Sequence, residues 1–85
     1  MIKLIKNKIY KVTWIDTYSY HGWQSQETIN ERTVDLYINS VGFLIKETKL
    51  YIILALSYDS DPEFHPYAHC IWIPKGTVSK VIKLK

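Results

Sequence analysis

The chain has 85 residues, 47% of them hydrophobic and 14% aromatic, with a formal net charge of +3. This length supports one modest core, and the composition excludes a disordered tail, so residues 1–85 are expected to form a single domain. No apolar run approaches the roughly 20 residues that cross a bilayer, and the first residues lack a signal-peptide pattern. The single cysteine, Cys70, excludes an internal disulfide and suits a small buried side chain in a reducing compartment. These features predict a cytoplasmic protein with no membrane partner.

Five segments favour β-strands, because they are rich in branched and aromatic residues and most of them alternate in hydropathy. They are residues 8–16, 33–47, 50–58, 68–73 and 78–84. Short strands with tight connections and few helix-favouring residues are typical of small barrels. The sequence therefore predicts an all-β fold, which we interpret as a small five-stranded barrel.

Two features refine this prediction. Gly42 interrupts the second strand, and a glycine at such a position often marks a bulge or a sharp bend. Residues 50–58 are apolar at nearly every position, which predicts a central strand covered on both faces. Its second face needs a cover, either the long loop after the first strand or another subunit.

Periodicity ends in residues 17–32, where we predict a long loop with one short helical turn at 27–31. The segment 14–23 spans the end of the first strand and the start of this loop, and we call it the aromatic loop. It carries two Trp and two Tyr beside an Asp, a His and two hydroxyl residues. Loops longer than about 12 to 15 residues are uncommon in compact domains and are often functional. This aromatic loop is therefore the candidate recognition surface.

Its aromatic side chains could stack on a nucleobase, each stacked base contributing about 1 to 3 kcal/mol. Nearby carboxylate, hydroxyl and imidazole groups could bond a base edge or a ribose, and a lysine could meet a phosphate. The candidate ligand-binding residues are Trp14, Asp16, Ser19, Tyr20, His21, Trp23, Lys46 and Lys75. Structural alternatives stay open, because Trp14 also suits the core, Asp16 a cap on the loop's own amides, and Trp23 a subunit interface.

Lysines crowd both ends of the chain. They are Lys3, Lys6, Lys8 and Lys11 near the N-terminus and Lys75, Lys80, Lys83 and Lys85 near the C-terminus. If the first and last strands lie side by side, these lysines form one basic face that attracts phosphates. The alternative is that they protect sheet edges from pairing. Only one arginine, Arg32, is present, although the guanidinium group is the preferred contact to phosphate and guanine.

The sequence contains no arrangement typical of catalysis or of a metal site. No nucleophile lies beside a base and an orienting group, so we do not expect an enzyme. His65, His69 and Cys70 match no compact ligand spacing, and His69 and Cys70 point to opposite faces of a strand. We therefore expect neither a metal nor a cofactor.

Two segments resemble those of Sm-like and SH3-like barrels. In these barrels a bent, glycine-bearing strand leads into a hairpin, and a short turn links the last two strands. The matching residues are Val41-Gly42-Phe43-Leu44-Ile45, the hairpin into residues 50–56, and Ile73-Pro74-Lys75-Gly76-Thr77-Val78. The resemblance implies a Sm/SH3-like barrel over about residues 33–85. The N-terminal helix of Sm proteins and their Asp-Asn pair for uridine have no counterpart here.

A wider set of motifs is similar to a family of short, uncharacterised proteins encoded by bacteriophages. These motifs are Val12-Thr13-Trp14-Ile15-Asp16, Gly22-Trp23, Ser40-Val41-Gly42-Phe43-Leu44-Ile45-Lys46 and Ile73-Pro74-Lys75-Gly76. The resemblance implies a viral origin and, with it, a place in the host cytoplasm.

These features together suggest a homo-oligomeric barrel that sequesters a small nucleotide, as phage proteins that bind nucleotide immune signals do. Because one small domain rarely encloses a pocket of several hundred Å³, we expect the site to lie between chains. One alternative is an Sm-like protein that binds RNA or single-stranded DNA on the lysine-rich face. Another is an inhibitor that grips a host protein through the aromatic loop.

Overall fold

The computed structural model describes residues 3–19, 21–61, 63 and 66–84. Its strands are β1 (Ile9–Ile15), β2 (Tyr37–Glu47), β3 (Tyr51–Tyr58), β4 (Tyr67–Pro74) and β5 (Val78–Lys83). One short helix, α1 (Gln26–Arg32), lies between β1 and β2, and a 3₁₀ turn (Lys75–Thr77) joins β4 to β5. The predicted all-β fold is confirmed.

The five strands form one antiparallel sheet in the order β4-β3-β2-β1-β5. The 3₁₀ turn therefore connects the two outermost strands of that order, which requires the sheet to curve strongly. Among the described residues no hydrogen-bonded ladder joins β4 to β5, so the sheet is not closed. Closure into a barrel stays a prediction.

The core lies on the inner face of the curved sheet. Paired residues of an antiparallel ladder point to the same face, so the pairs Ile52–Ile73 and Leu44–Leu54 extend one apolar layer across three strands. The fully buried members of this layer are Tyr10, Val12, Leu44, Ile52, Leu54 and Ile73. The Tyr10 hydroxyl accepts a hydrogen bond from the Ile5 amide at 2.8 Å, so its polar group is satisfied inside the core.

Strand β3 is covered on both faces at its centre, as the sequence predicts. Four consecutive residues, Ile52 to Ala55, are buried. Ile53 and Ala55 point to the outer face, where their cross-strand partners are Trp72 and Cys70. The second face of β3 is thus covered within the sheet itself. Cys70 is half-buried, which corrects the expectation of a buried cysteine.

The irregularity in β2 lies three residues beyond the predicted position. The register with β3 shifts between Leu44 and Lys46, so Ile45 is the extra residue of a bulge. Gly42 instead allows close approach, because a Cβ atom at this position would lie 2.7 Å from the carbonyl oxygen of Ala55. Gly42 therefore marks a close contact between β2 and β3, and the bulge lies three residues later at Ile45.

Strands β1 and β5 lie side by side, which confirms that the two lysine-rich ends of the chain meet. Their register shifts between Thr13 and Trp14, where Ser79 is the extra residue. The hydroxyl of Ser79 donates to the Thr13 carbonyl oxygen at 3.2 Å. As a result Lys80 pairs with Thr13 on the outer face, while Val81 and Val78 face the core.

Residues 16–36 form an excursion between β1 and β2 that we call the arm. Its two limbs are joined where the Asp16 amide donates to the Leu36 carbonyl at 2.9 Å and the Val34 amide donates to the Tyr18 hydroxyl at 3.0 Å. The molecule measures 54 Å in its longest dimension, against about 36 Å for an extended strand of the length of β2, which has 11 residues. The arm therefore continues beyond the sheet.

Helix α1 of the arm begins at an N-cap, Ser25, whose hydroxyl accepts from the Thr28 amide at 3.1 Å. Glu27 in the first turn and Arg32 in the last match the helix dipole. The predicted helical turn is thus confirmed. Within the described residues, no helix combines the length and apolar character required to span a bilayer.

Candidate functional site

Trp14 has a structural role. It lies on the inner face of β1 opposite Ile38 and packs against the core cluster. Its indole Nε1–H donates to the Ser40 hydroxyl at 3.0 Å, so the one polar atom of the ring is already bonded. The indole therefore packs where β1, β2 and β5 meet.

The remaining candidates of the aromatic loop lie in the arm. The Asp16 carboxylate accepts from the Thr17 amide at 2.8 Å, which is the capping role considered from the sequence. Ser19 and His21 are exposed, and the His21 carbonyl accepts a bond from Gln24 at 3.5 Å. Trp23 is fully exposed. Tyr20 lies outside the described residues, as does His65, one of the two histidines considered for a metal.

The two predicted lysines lie near the C-terminal end of β2. Lys46 follows the bulge in β2, up to about 26 Å along the strand from Ile38, the residue that pairs with Trp14. Lys75 begins the 3₁₀ turn, and its Nζ lies 2.5 Å from Oε2 of Glu47. The structure therefore brings both lysines to the end of β2, and it places Lys75 three residues before Val78, the β5 residue that pairs with Trp14.

A different pair of aromatic residues lies beside Lys46. The pairs Lys46–Ile53 and Ile53–Trp72 form one row across β2, β3 and β4, and all three residues share the outer face. Tyr51 is two residues from Ile53 on that face and diagonal to Trp72. Trp72 is 58% exposed and Tyr51 is 38% exposed, while Ile53 is buried and forms the floor. We call Lys46, Tyr51 and Trp72 the Trp72 surface.

The bulge at Ile45 creates this surface. Without it, Lys46 would share a face with Leu44, because side chains two positions apart in a strand point the same way. The extra residue turns Lys46 to the outer face while Leu44 stays in the core. Neighbouring strands are about 4.8 Å apart, so the Lys46 and Trp72 backbones are about 10 Å apart across two strand spacings. One ligand of about that length can contact both side chains.

The electrostatics of the outer face favour anions. Its strand positions carry Lys11, Lys46 and Lys80, and among the described residues no carboxylate points from a strand to this face. Glu47 pairs with the inward-facing Ile52 and reaches Lys75 at the rim, which offsets the charge of that lysine. Lys46 makes no ion pair with any residue the structure describes. Its charge is therefore available to a ligand.

An open cleft of about 350 Å³ lies at the far end of the β3–β4 hairpin. Tyr58 and Tyr67 form one side, with their ring centroids 6.3 Å apart, and the Tyr67 hydroxyl donates to Asn7 at 3.3 Å. Lys6 and Asp59 both line this cleft, so opposite charges meet there. It favours an anionic ligand less than the Trp72 surface does.

Sequence reasoning missed Trp72 and Tyr51 because neither stands out in its own strand. Trp72 lies between Ile71 and Ile73, and all three would be taken as core residues. Only the register with β3, fixed by pairs such as Ile52–Ile73, turns Trp72 outward. Side chains alternate between the two faces of a strand, so assigning Ile73 to the core would have predicted an outward-facing Trp72.

Comparison of the chain with protein-family models, with curated proteins and with solved structures found no match.

Proposed function

We propose that this chain is a phage-encoded, homo-oligomeric and non-catalytic binding protein that holds a small nucleotide on its Trp72 surface. In a host cell, such binding sequesters a nucleotide immune signal. The ligand class rests on one observation, the row in which Lys46 and Trp72 flank buried Ile53 on the outer face. A base can stack on the indole while its phosphate meets the ammonium group.

The magnitudes favour stacking as the larger contribution. A base on an aromatic ring contributes about 1 to 3 kcal/mol. An exposed ion pair contributes roughly 0 to 1 kcal/mol, because solvent screens it. Trp72 therefore supplies most of the expected affinity, and Lys46 supplies preference for a phosphate. Tyr51, diagonal to Trp72, offers a second ring surface.

We also propose that the sheet adopts an Sm/SH3-like barrel topology. The strand order β4-β3-β2-β1-β5 supports this, as does the 3₁₀ turn that links the outermost strands. A strongly curved sheet presents its convex face to solvent, and the Trp72 surface belongs to that face. Buried Ile53 forms the floor of the proposed site on this face.

The test is calorimetric titration of the full chain with cyclic and ADP-ribose-type nucleotides. We expect at least one to bind with a Kd below about 100 μM, equivalent to about −5.5 kcal/mol. Trp72→Ala should weaken that affinity about tenfold or more and Lys46→Ala less, by up to about fivefold. Trp23→Ala is the matched control, because Trp23 is an exposed tryptophan of the arm.

Two results would contradict the proposed site. The first is no nucleotide binding below about 100 μM across the panel. The second is loss of binding in Trp23→Ala with retention in Trp72→Ala, which would return the ligand to the aromatic loop.

A second candidate, binding of RNA or single-stranded DNA, is favoured by the three outward lysines Lys11, Lys46 and Lys80. If an oligonucleotide contacts all three, the logarithm of affinity should fall with a slope of about −2 against the logarithm of salt concentration. Affinity would then drop about a hundredfold between about 50 and about 500 mM NaCl. A mononucleotide signal that changes little over this range supports the first candidate instead.

A further inference from the structure

Among the described residues, the arm exposes an apolar surface to solvent. Its exposed apolar side chains are Tyr18, Trp23, Ile29, Val34 and Leu36. Helix α1 has seven residues and none of them is buried. Helices this short are marginal in water unless packing stabilises them. A groove of about 270 Å³ in the arm is lined by Tyr18, Ser19, Val34 and Leu36. This surface has the character of an interface.

The accessible area supports the same conclusion. The chain exposes 6711 Å². A monomeric protein of 10.1 kDa exposes about 5,300 Å². The excess over the whole chain, about 1,400 Å², is larger than the roughly 800 Å² that each partner contributes to a stable interface, so the chain has enough exposed area for one. The radius of gyration, 16.4 Å, likewise exceeds the roughly 12 Å expected of a compact chain of this length.

Charge indicates which surface the arm fits. The arm holds Asp16, Glu27, Glu31 and Asp35 against a single cation, Arg32, whereas all ten lysines lie outside it. Two arms facing each other would bring like charges together, which opposes association. The outer face of β1, β2 and β5 has the complementary character, because Lys11 and Lys80 lie there beside half-exposed Val41.

We infer that the arm of one copy docks on the lysine-bearing outer face of β1, β2 and β5 of a second copy of this chain. The inference deepens the homo-oligomeric part of the proposed function and rests on it. Arm-to-sheet contact is head-to-tail, so it forms a closed ring when the rotation between copies allows closure. Docking covers Trp23 and Ile29 and leaves the Trp72 surface, on β2 to β4, open to a ligand.

Light scattering coupled to size exclusion tests the apolar contact. We expect the natural chain to have a mass that is a multiple of 10.1 kDa. The double variant Trp23→Ala/Ile29→Ala should weaken association more than tenfold and elute as a monomer. Leu50→Ala, an exposed leucine at the β2–β3 turn, is the matched control and should assemble normally. Far-ultraviolet circular dichroism should show the same strand content in all three proteins.

A charge exchange tests the receiving surface. Glu27→Lys/Glu31→Lys in the arm and Lys11→Glu/Lys80→Glu on the sheet should each weaken assembly about tenfold. An equimolar mixture of the two double variants should recover part of the assembly. In the mixture the positive arm of one variant can meet the negative sheet of the other, and the unchanged arm can meet the unchanged sheet, so opposite charges face each other in both contacts. Assembly of the natural chain should weaken as salt rises from about 50 to about 500 mM.

A natural chain of monomeric mass, or a Trp23→Ala/Ile29→Ala variant with the natural mass, overturns the inference. So does assembly that strengthens with salt or fails to recover in the mixture, because either result removes the arm-to-sheet contact. Nucleotide titration of the monomeric variant separates the two proposals. The Trp72 surface belongs to one chain, unlike the site between chains expected from the sequence, so binding there should survive dissociation even where assembly fails.

Discussion

Gly42→Ala should destabilise the fold by about 1 to 2 kcal/mol, with a lower melting temperature in a thermal scan. The added Cβ would lie 2.7 Å from the Ala55 carbonyl oxygen and 3.2 Å from Cβ of Leu54. Both neighbours are buried parts of β3, so relief requires moving a strand rather than a flexible side chain. Overpacking of this kind costs about 1 to 3 kcal/mol, which exceeds the 0.5 to 1 kcal/mol that alanine gains over glycine within a strand.

Gly76→Ala is the control for this substitution. Gly76 lies in the 3₁₀ turn, and a Cβ there would meet nothing within 4 Å. Alanine also reduces the freedom of the unfolded chain, so we expect stability to stay the same or rise by up to about 1 kcal/mol. Equal melting temperatures for the two variants would refute the close-approach role of Gly42.

Leu54→Ala should cost about 2 to 5 kcal/mol, because it removes buried methyl groups and leaves a cavity. Leu54 is 1% exposed and lies at the centre of the inner layer, opposite Leu44 and Ile71. A domain of this size has a free energy of unfolding of roughly 4 to 13 kcal/mol, so the loss is a large fraction of the total. Chemical denaturation measures it directly.

Leu56→Ala, in the same strand, is the matched control. Leu56 is 64% exposed, and truncating it should change stability by less than about 0.5 kcal/mol. If both variants lose the same stability, the inner layer does not hold the core as described.

The sequence was sufficient for the strands because their patterns are local. The alternation of Tyr10, Val12 and Trp14 places β1, and the unbroken apolar run of β3 predicts its burial on both faces. The capped helical turn of the arm is equally local, since Ser25 bonds the amide three residues on. Features that depend only on neighbouring residues in the sequence could therefore be predicted.

The candidate site was less predictable because it depends on register. A single extra residue, Ile45, decides that Lys46 faces outward, and no turn residue marks that position. Trp72 then becomes exposed through pairing with Ile53, a partner 19 positions away in the sequence. The aromatic loop drew attention through composition, yet its first tryptophan, Trp14, is committed to Ser40 and the core. Composition identified unusual residues but not which of them share a surface.

The two surfaces have different proposed roles: the Trp72 surface binds the ligand and the arm binds a second copy of the chain. The Trp72 surface combines exposed rings with an available cation over a buried floor, which suits a phosphate-bearing aromatic ligand. The arm combines apolar side chains with negative charge, which suits the basic part of a neighbouring sheet. Because they lie at different ends of β2, substitutions in one should leave the other intact.

The most direct test of nucleotide binding uses the indole signals of the three tryptophans in a ¹H–¹⁵N NMR spectrum. The full chain is titrated with the nucleotide that binds most tightly in the calorimetric panel. The proposed site predicts that the Trp72 indole signal shifts and saturates with ligand, while the signals of Trp14 and Trp23 stay in place. A shift of the Trp23 signal alone, or no shift of any indole signal at saturating nucleotide, would contradict it.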